Sequence, residues 1–136
     1  MSKPMRILVV EDIMINREFL KMLMEQRGEC VCVESGEEAV TVFAEALKQG
    51  NPFDVVFLDI MLPGINGHQV LEKFRELEDK AGVDRGDEAH VIVTTAIDDD
   101  ASASRAFIHG RAVSYITKPV REDKIDEELR SLGLTG

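Results

Sequence analysis

The sequence predicts an α/β fold in which five parallel strands form one open sheet with helices on both faces. Three observations predict it. Short apolar runs alternate with stretches of helical periodicity five times along the chain. The runs are rich in branched residues, as strands covered on both faces are. Three of them end on charged residues: Ile7-Leu8-Val9-Val10 on Glu11-Asp12, Val55-Val56-Phe57-Leu58 on Asp59, and Val113-Ser114-Tyr115-Ile116-Thr117 on Lys118-Pro119.

Met5 to Val10 reads as the first strand, closed by the two acids. Met14 to Gln26 reads as a helix, with Met14, Ile15, Phe19, Leu20, Met22, Leu23 and Met24 at helical spacing and Gly28 as its stop signal. Cys30 to Val33 is the second strand. Ser35-Gly36-Glu37-Glu38 has the spacing of a capping box, and Ala39, Val40, Val42, Phe43, Ala46 and Leu47 continue it as a helix ended by Gly50-Asn51-Pro52. Phe53 to Leu58 is the third strand and breaks into the loop signals Met61-Leu62-Pro63-Gly64 and Asn66-Gly67. A helix follows from about His68 to Glu78, with Val70, Leu71, Phe74 and Leu77 on one side. Asp79 to Ala89 is polar and reads as a solvated loop. Val91 to Thr95 is the fourth strand, and Asp98-Asp99-Asp100 suits the cap of a short helix ending near Gly110. Val113 to Thr117 is the fifth strand. Arg121 to Leu132 closes the chain as a helix with Ile125, Leu129 and Leu132 inward. Right-handed crossovers favour the strand order 2-1-3-4-5, the doubly wound, flavodoxin-like arrangement.

At 136 residues the chain has the size of one domain, and residues 1–136 read as a single unit with no appended second domain. Its net charge of -10, from 16 basic and 26 acidic residues, argues against direct DNA binding, which needs a basic face. Without a signal-peptide segment or an apolar run of spanning length, a cytoplasmic location without membrane insertion is expected. Cys30 and Cys32 are expected on one face of their strand as buried thiols in a reducing compartment, without a disulfide. His68, His90 and His109 have no ligand or catalytic spacing and read as surface residues, and the methionines of the first helix read as core filler.

In the predicted order, strands one and three are neighbours at the switch point, where open α/β sheets bind their ligands. Glu11, Asp12 and Asp59 would then meet, with Lys118 beside them. Crowded carboxylates repel unless a cation joins them, and hard oxygen ligands suit Mg²⁺.

This ordered set resembles the receiver domain of two-component response regulators over essentially the whole chain. The resemblance is carried by Glu11-Asp12, Asp59, Pro63 and Gly67, Thr95-Ala96, and Tyr115 three residues before Lys118-Pro119, with Asn16 and Arg17 also fitting. It is similar to stand-alone receivers of the chemotaxis or phosphorelay type. The resemblance implies that Asp59 accepts a phosphoryl group from a sensor histidine kinase or a histidine phosphotransfer protein. It implies Mg²⁺ held by Asp12, Asp59 and the backbone carbonyl of Met61, with Glu11 acting directly or through water. It further implies that Lys118 pairs with Asp59, aided by a cis Lys118-Pro119 bond. Thr95 and Tyr115 would switch the face of helix four, strand five and helix five toward a downstream effector or a second copy, with Phe107, Ile108 and Tyr115 as contacts. Such a domain catalyses its own phosphorylation and dephosphorylation and turns over no external substrate. Met61 and Ile97, two residues beyond Asp59 and Thr95, would govern water access to the phosphorylated aspartate, and both are apolar.

The sequence departs from the family at Ile13, where a polar residue is usual. The approach from Gly110 to Tyr115 and the segment Asp79 to Ala89 are also longer than usual. Other functions fit less well. A phosphohydrolase using Asp59 would want an Asp where Met61 stands, and a flavin phosphate would be repelled by Glu11-Asp12. A receiver fold without phosphorylation has no support, since every acceptor-site residue is present.

Overall fold

The computed structural model describes residues 4–96 and 100–134, apart from the side chains of residues 100, 102, 103 and 107. In order, the elements are β1 Met5–Val10, α1 Met14–Glu25, β2 Gly28–Val33, α2 Gly36–Lys48, β3 Val55–Asp59, α3 Gly67–Lys80, β4 His90–Thr95, α4 Asp100–Gly110, β5 Ser114–Thr117 and α5 Glu122–Ser131, with a single 3₁₀ turn at Arg85–Asp87. The strands form one sheet in the order β2-β1-β3-β4-β5, every pair parallel. The expected fold is therefore observed.

Alternation along the central strands divides the core in two. Ile7, Val9, Val55, Phe57, Ile92 and Ile116 face α1 and α5, meeting Leu20, Leu23, Met24, Ile125 and Leu129. Leu8, Val10, Val56, Leu58, Val91 and Val93 face the other way, onto Phe43, Leu71, Phe74 and Ala106 from α2, α3 and α4. Phe43 and Phe74 stack at 4.0 Å between ring centroids in that second layer. Among the described residues no helix is long and apolar enough to cross a membrane.

Several local expectations are corrected. Gly28 does not merely stop α1: it opens β2 opposite Met5, where any Cβ would collide with the Met5 carbonyl oxygen. α1 ends earlier, at Glu25, and presents only one stripe to the sheet. Leu20, Leu23 and Met24 are buried, whereas Met14, Ile15 and Met22 are exposed and do not fill the core. Ser35 accepts from the Glu38 N–H, half of the expected capping box. The reciprocal box instead caps α3, where Asn66 accepts from Gln69 N–H and the Gln69 side chain accepts from Asn66 N–H. His68 is buried at the start of α3 rather than on the surface. Cys30 and Cys32 are free thiols on one face, their sulfurs 3.9 Å apart, but only partly buried because β2 is an edge strand. Segment 79–89 is not wholly a solvated loop: α3 runs on to Lys80 and Ala89 is buried. The cap expected of Asp98-Asp99-Asp100, Ile97 and the Phe107 side chain lie outside the described residues.

Candidate functional site

The sheet's hydrogen-bond ladder continues one step past three strands and so carries the charged residues out side by side. Glu11 N–H donates to the Val33 carbonyl at 3.2 Å, Ile60 N–H to Thr94 at 3.2 Å, and Lys118 N–H to Thr95 at 2.8 Å. The site lies where β1 and β3, neighbours in space, send their chains to opposite faces of the sheet.

Carboxylate oxygens of Glu11, Asp12 and Asp59 lie within 4.8 Å of one another. Glu11 and Asp59 are each 2% exposed, whereas Asp12 stands in solvent. The Lys118 ammonium bridges the two buried acids, 2.9 Å from Asp59 Oδ2 and 3.0 Å from Glu11 Oε1. The other Asp59 oxygen accepts from the Met61 N–H at 2.9 Å. The Lys118-Pro119 peptide is cis.

One ammonium serves a pocket of three carboxylates, and the imbalance is visible at Glu11. Burial, followed by the neighbouring Asp59, pushes Glu11 up to about 7, against the opposing pull of Lys118. Burial also works against the Lys118 charge, but its hydrogen bonds to Asp59 and Glu11 prevail and hold its pKa above the ordinary lysine value. A pocket of hard oxygen donors with excess negative charge fits a divalent cation such as Mg²⁺.

Thr95 is buried at the end of β4, its hydroxyl 3.5 Å from the Ala96 carbonyl to which it donates. Tyr115, on the neighbouring edge strand β5 and opposite Val93, is 39% exposed. Ile108 is exposed on α4, and Met61 is 67% exposed beside Asp59. Glu11, Asp12, Asp59 and Lys118 are thus brought together, with Thr95 at the next strand end and Tyr115 farther out.

Two supporting residues were not legible as such. Gly67 lets α3 begin against the end of β3: a Cβ there would lie 2.6 Å from the Asp59 carbonyl oxygen and from Ile60 Cα. The sequence marked Gly67 as a loop signal and as part of the family resemblance, but not as the point where α3 packs against the end of β3. Arg17, nearly buried in α1, donates to the carbonyls of Glu11 and Asp12, an arrangement that no periodicity announces.

Fold and site together define an open α/β module with an acidic pocket at its switch point, and comparison with known proteins gives the family. A model of the response regulator receiver domain matches residues 7–130, and the chain belongs to that family. It is a receiver domain of two-component signalling. It is 38% identical over 117 residues to the regulatory protein VanRB of Enterococcus faecalis, covering 85% of this chain and 46% of that protein. It is 32% identical over 132 residues to the hybrid signal transduction histidine kinase L of Dictyostelium discoideum, covering 96% of this chain and 7% of that one. The chain therefore spans less than half the length of these curated relatives. Among solved structures, the receiver domain of the histidine kinase CKI1 from Arabidopsis thaliana, crystallised with Mg²⁺, superposes with a TM-score of 0.80 at 25% identity. The match covers 94% of this chain and 91% of that one. The receiver domain of Ssk1 from Saccharomyces cerevisiae, crystallised with the phosphotransfer protein Ypd1, shares the fold at a TM-score of 0.81 and 23% identity, over 98% and 92% of the two chains.

Proposed function

We propose that this chain is a phosphorylation-controlled switch in which Asp59 accepts a phosphoryl group from the phosphohistidine of a sensor histidine kinase or a histidine phosphotransfer protein. The observation that carries the reading is the Lys118 ammonium lying between Asp59 and Glu11, with the Asp12 carboxylate adjoining.

In the reaction an Asp59 oxygen attacks phosphorus, the bond from phosphorus to the donor imidazole breaks, and the imidazole nitrogen keeps the electron pair. Carboxylates serve as such covalent carriers. Burial strips water from Asp59, and the Met61 N–H and Lys118 fix its two oxygens in direction. Lys118 can follow the transferred group by moving from the carboxylate to a phosphoryl oxygen as a point charge. Glu11, Asp12, Asp59 and the Met61 carbonyl would hold Mg²⁺, which when bound supplies positive charge against the phosphoryl oxygens as charge spreads over them. Thr95, buried one strand away, would turn its hydroxyl to the phosphoryl group, and Tyr115 would swing inward behind it. The surface of α4, β5 and α5 then changes toward a downstream effector or a second copy of the chain, a local charge event read out by a two-state element. In this reading the domain acts only on itself, works in the cytoplasm, and contacts no DNA directly.

Incubation with acetyl phosphate and Mg²⁺, followed by intact mass, tests the reading. The parent should gain one phosphoryl group and Asp59→Asn none. A gain that persists in the variant places the acceptor elsewhere. Met61 sets the lifetime: an amide there can hold an attacking water, so Met61→Asn should shorten the phosphoryl half-life several-fold. Unchanged or slower decay would remove Met61 from that role.

A further inference from the structure

The geometry points to Arg17 as a positioning residue that holds the Glu11-Asp12 pair in its cation-binding arrangement, with Glu34 as its anchor. The inference rests on the divalent-cation reading of the acidic pocket and deepens it.

α1 turns a stripe toward the sheet, and on that stripe Arg17 is buried along with Leu20, Leu23 and Met24. A guanidinium so placed is costly unless its donors are met. One terminal nitrogen donates to the Glu11 carbonyl at 3.1 Å and to the Asp12 carbonyl at 3.3 Å. The other lies 3.0 Å from Glu34 Oε1, at the end of β2. The fork thus ties the two peptide groups that carry the acids to the neighbouring strand connection.

Two consequences follow. Asp12 is exposed, and among the described residues no hydrogen bond or ion pair holds its carboxylate. Its place in the trio is therefore set by the backbone that Arg17 grips. Arg17 also brings a positive charge behind the three carboxylates, touching Glu11 and Asp12 through their backbone oxygens and pairing its side chain with Glu34 outside the trio. Lys118 touches the carboxylates themselves, and a divalent cation competes with it. Arg17 offsets repulsion without standing in the cation's place. A lysine could not replace it, since one ammonium lacks the planar fork that spans two carbonyls and a carboxylate.

Groups behind metal ligands characteristically alter metal affinity 10- to 100-fold when removed. Calorimetric titration of the full chain with MgCl₂ tests this, using the parent, Arg17→Met, Arg17→Lys and Glu34→Gln, each also followed through thermal unfolding. Arg75→Met, which breaks a buried ion pair far from the pocket, serves as the comparison. Arg17→Met should weaken Mg²⁺ binding by about tenfold or more, and Arg17→Lys should recover little of it. Glu34→Gln, at an exposed carboxylate, should weaken binding roughly two- to fivefold with little change in melting temperature. Arg75→Met should lower stability and leave the Mg²⁺ Kd unmoved. Parent-like Kd in a folded Arg17→Met overturns the proposal. If that variant does not unfold cooperatively, parent-like Kd in Glu34→Gln overturns it instead. A parent that binds no Mg²⁺ removes the cation reading itself, and this inference falls with it.

Discussion

Among the described residues two buried ionic clusters stand out, one at each end of the sheet, and they are built on opposite principles. At the carboxyl ends of the strands, Lys118 is shared by Glu11 and Asp59, with Asp12 adjoining, so negative charge exceeds positive. At the other end the Arg75 guanidinium bonds Glu78 at 2.8 Å and the carbonyls of Ala89, Gly110 and Arg111 at 3.0, 2.9 and 3.0 Å. The second Glu78 oxygen accepts from Ala89 N–H at 2.8 Å, and Arg111 forks onto Glu88 nearby. That second cluster is balanced and saturated, and it fastens α3 to the start of β4 and to the chain between α4 and β5. A satisfied buried network fixes geometry, whereas an unbalanced one is open to a further cation and to a reaction.

The largest expected effect would sharpen this contrast. Arg75→Met leaves Glu78 buried without its partner and orphans three carbonyls. Removing one member of such a pair costs about 3–5 kcal/mol. Urea unfolding should show that loss, while acetyl phosphate labelling of Asp59 persists under conditions where the variant is folded. A loss below about 1 kcal/mol would mean that the network is not the clamp its bonds suggest.

The same operation at the site should cost less. Lys118→Met leaves Glu11 and Asp59 facing each other, but Glu11 already titrates at about 7 and can take up a proton instead of remaining an unpaired charge. A loss of under about 2 kcal/mol near neutral pH is expected, together with failure to accept phosphate. The sign with pH follows from the raised acid. The unfolded chain ionises freely above its ordinary glutamate value, so the variant should lose stability as pH rises from there through the raised folded value. Urea midpoints across that range check it, and a midpoint that rises with pH would contradict the account.

The contrast also explains what could be read from the chain. Glu11, Asp12, Asp59 and Lys118 each close an apolar run, and parallel strands put such ends at one level, so the site was legible from pattern and order alone. Arg75 and Glu78 were not. They lie three apart on a helix whose visible pattern is Val70, Leu71, Phe74 and Leu77, and charged residues at that spacing ordinarily face water. Their burial depends on where the chain returns after α3, and polar composition in 79–89 conceals that Ala89 comes back to meet Glu78. The exposure of Met14, Ile15 and Met22 was hidden for a related reason. Period alone does not say how wide a stripe the sheet can cover, and α1 packs near the edge beside β2.

The smallest expected effect lies at the rim of the saturated cluster. The hydrogen-bonded guanidinium of Arg111 holds the Glu88 carboxyl below the ordinary glutamate range, against partial burial that would raise it. Because the folded value is depressed, the pair's contribution is fully present above the unfolded glutamate pKa of about 4.3 and disappears as pH falls through the lower folded value. Arg111 remains charged throughout, so Glu88 alone sets the window. Glu88→Gln should therefore lose about 1 kcal/mol at neutral pH, since the Glu88 side chain is 8% exposed but its Arg111 partner, at 27%, keeps the pair partly screened by solvent. The difference between parent and variant should shrink toward zero in acid. Paired urea titrations at pH 7 and at pH 3 measure that difference. If it stayed constant between the two, the Glu88–Arg111 fork would be acting through packing and not through charge, and the balanced character assigned to this end of the molecule would rest on Arg75 and Glu78 alone.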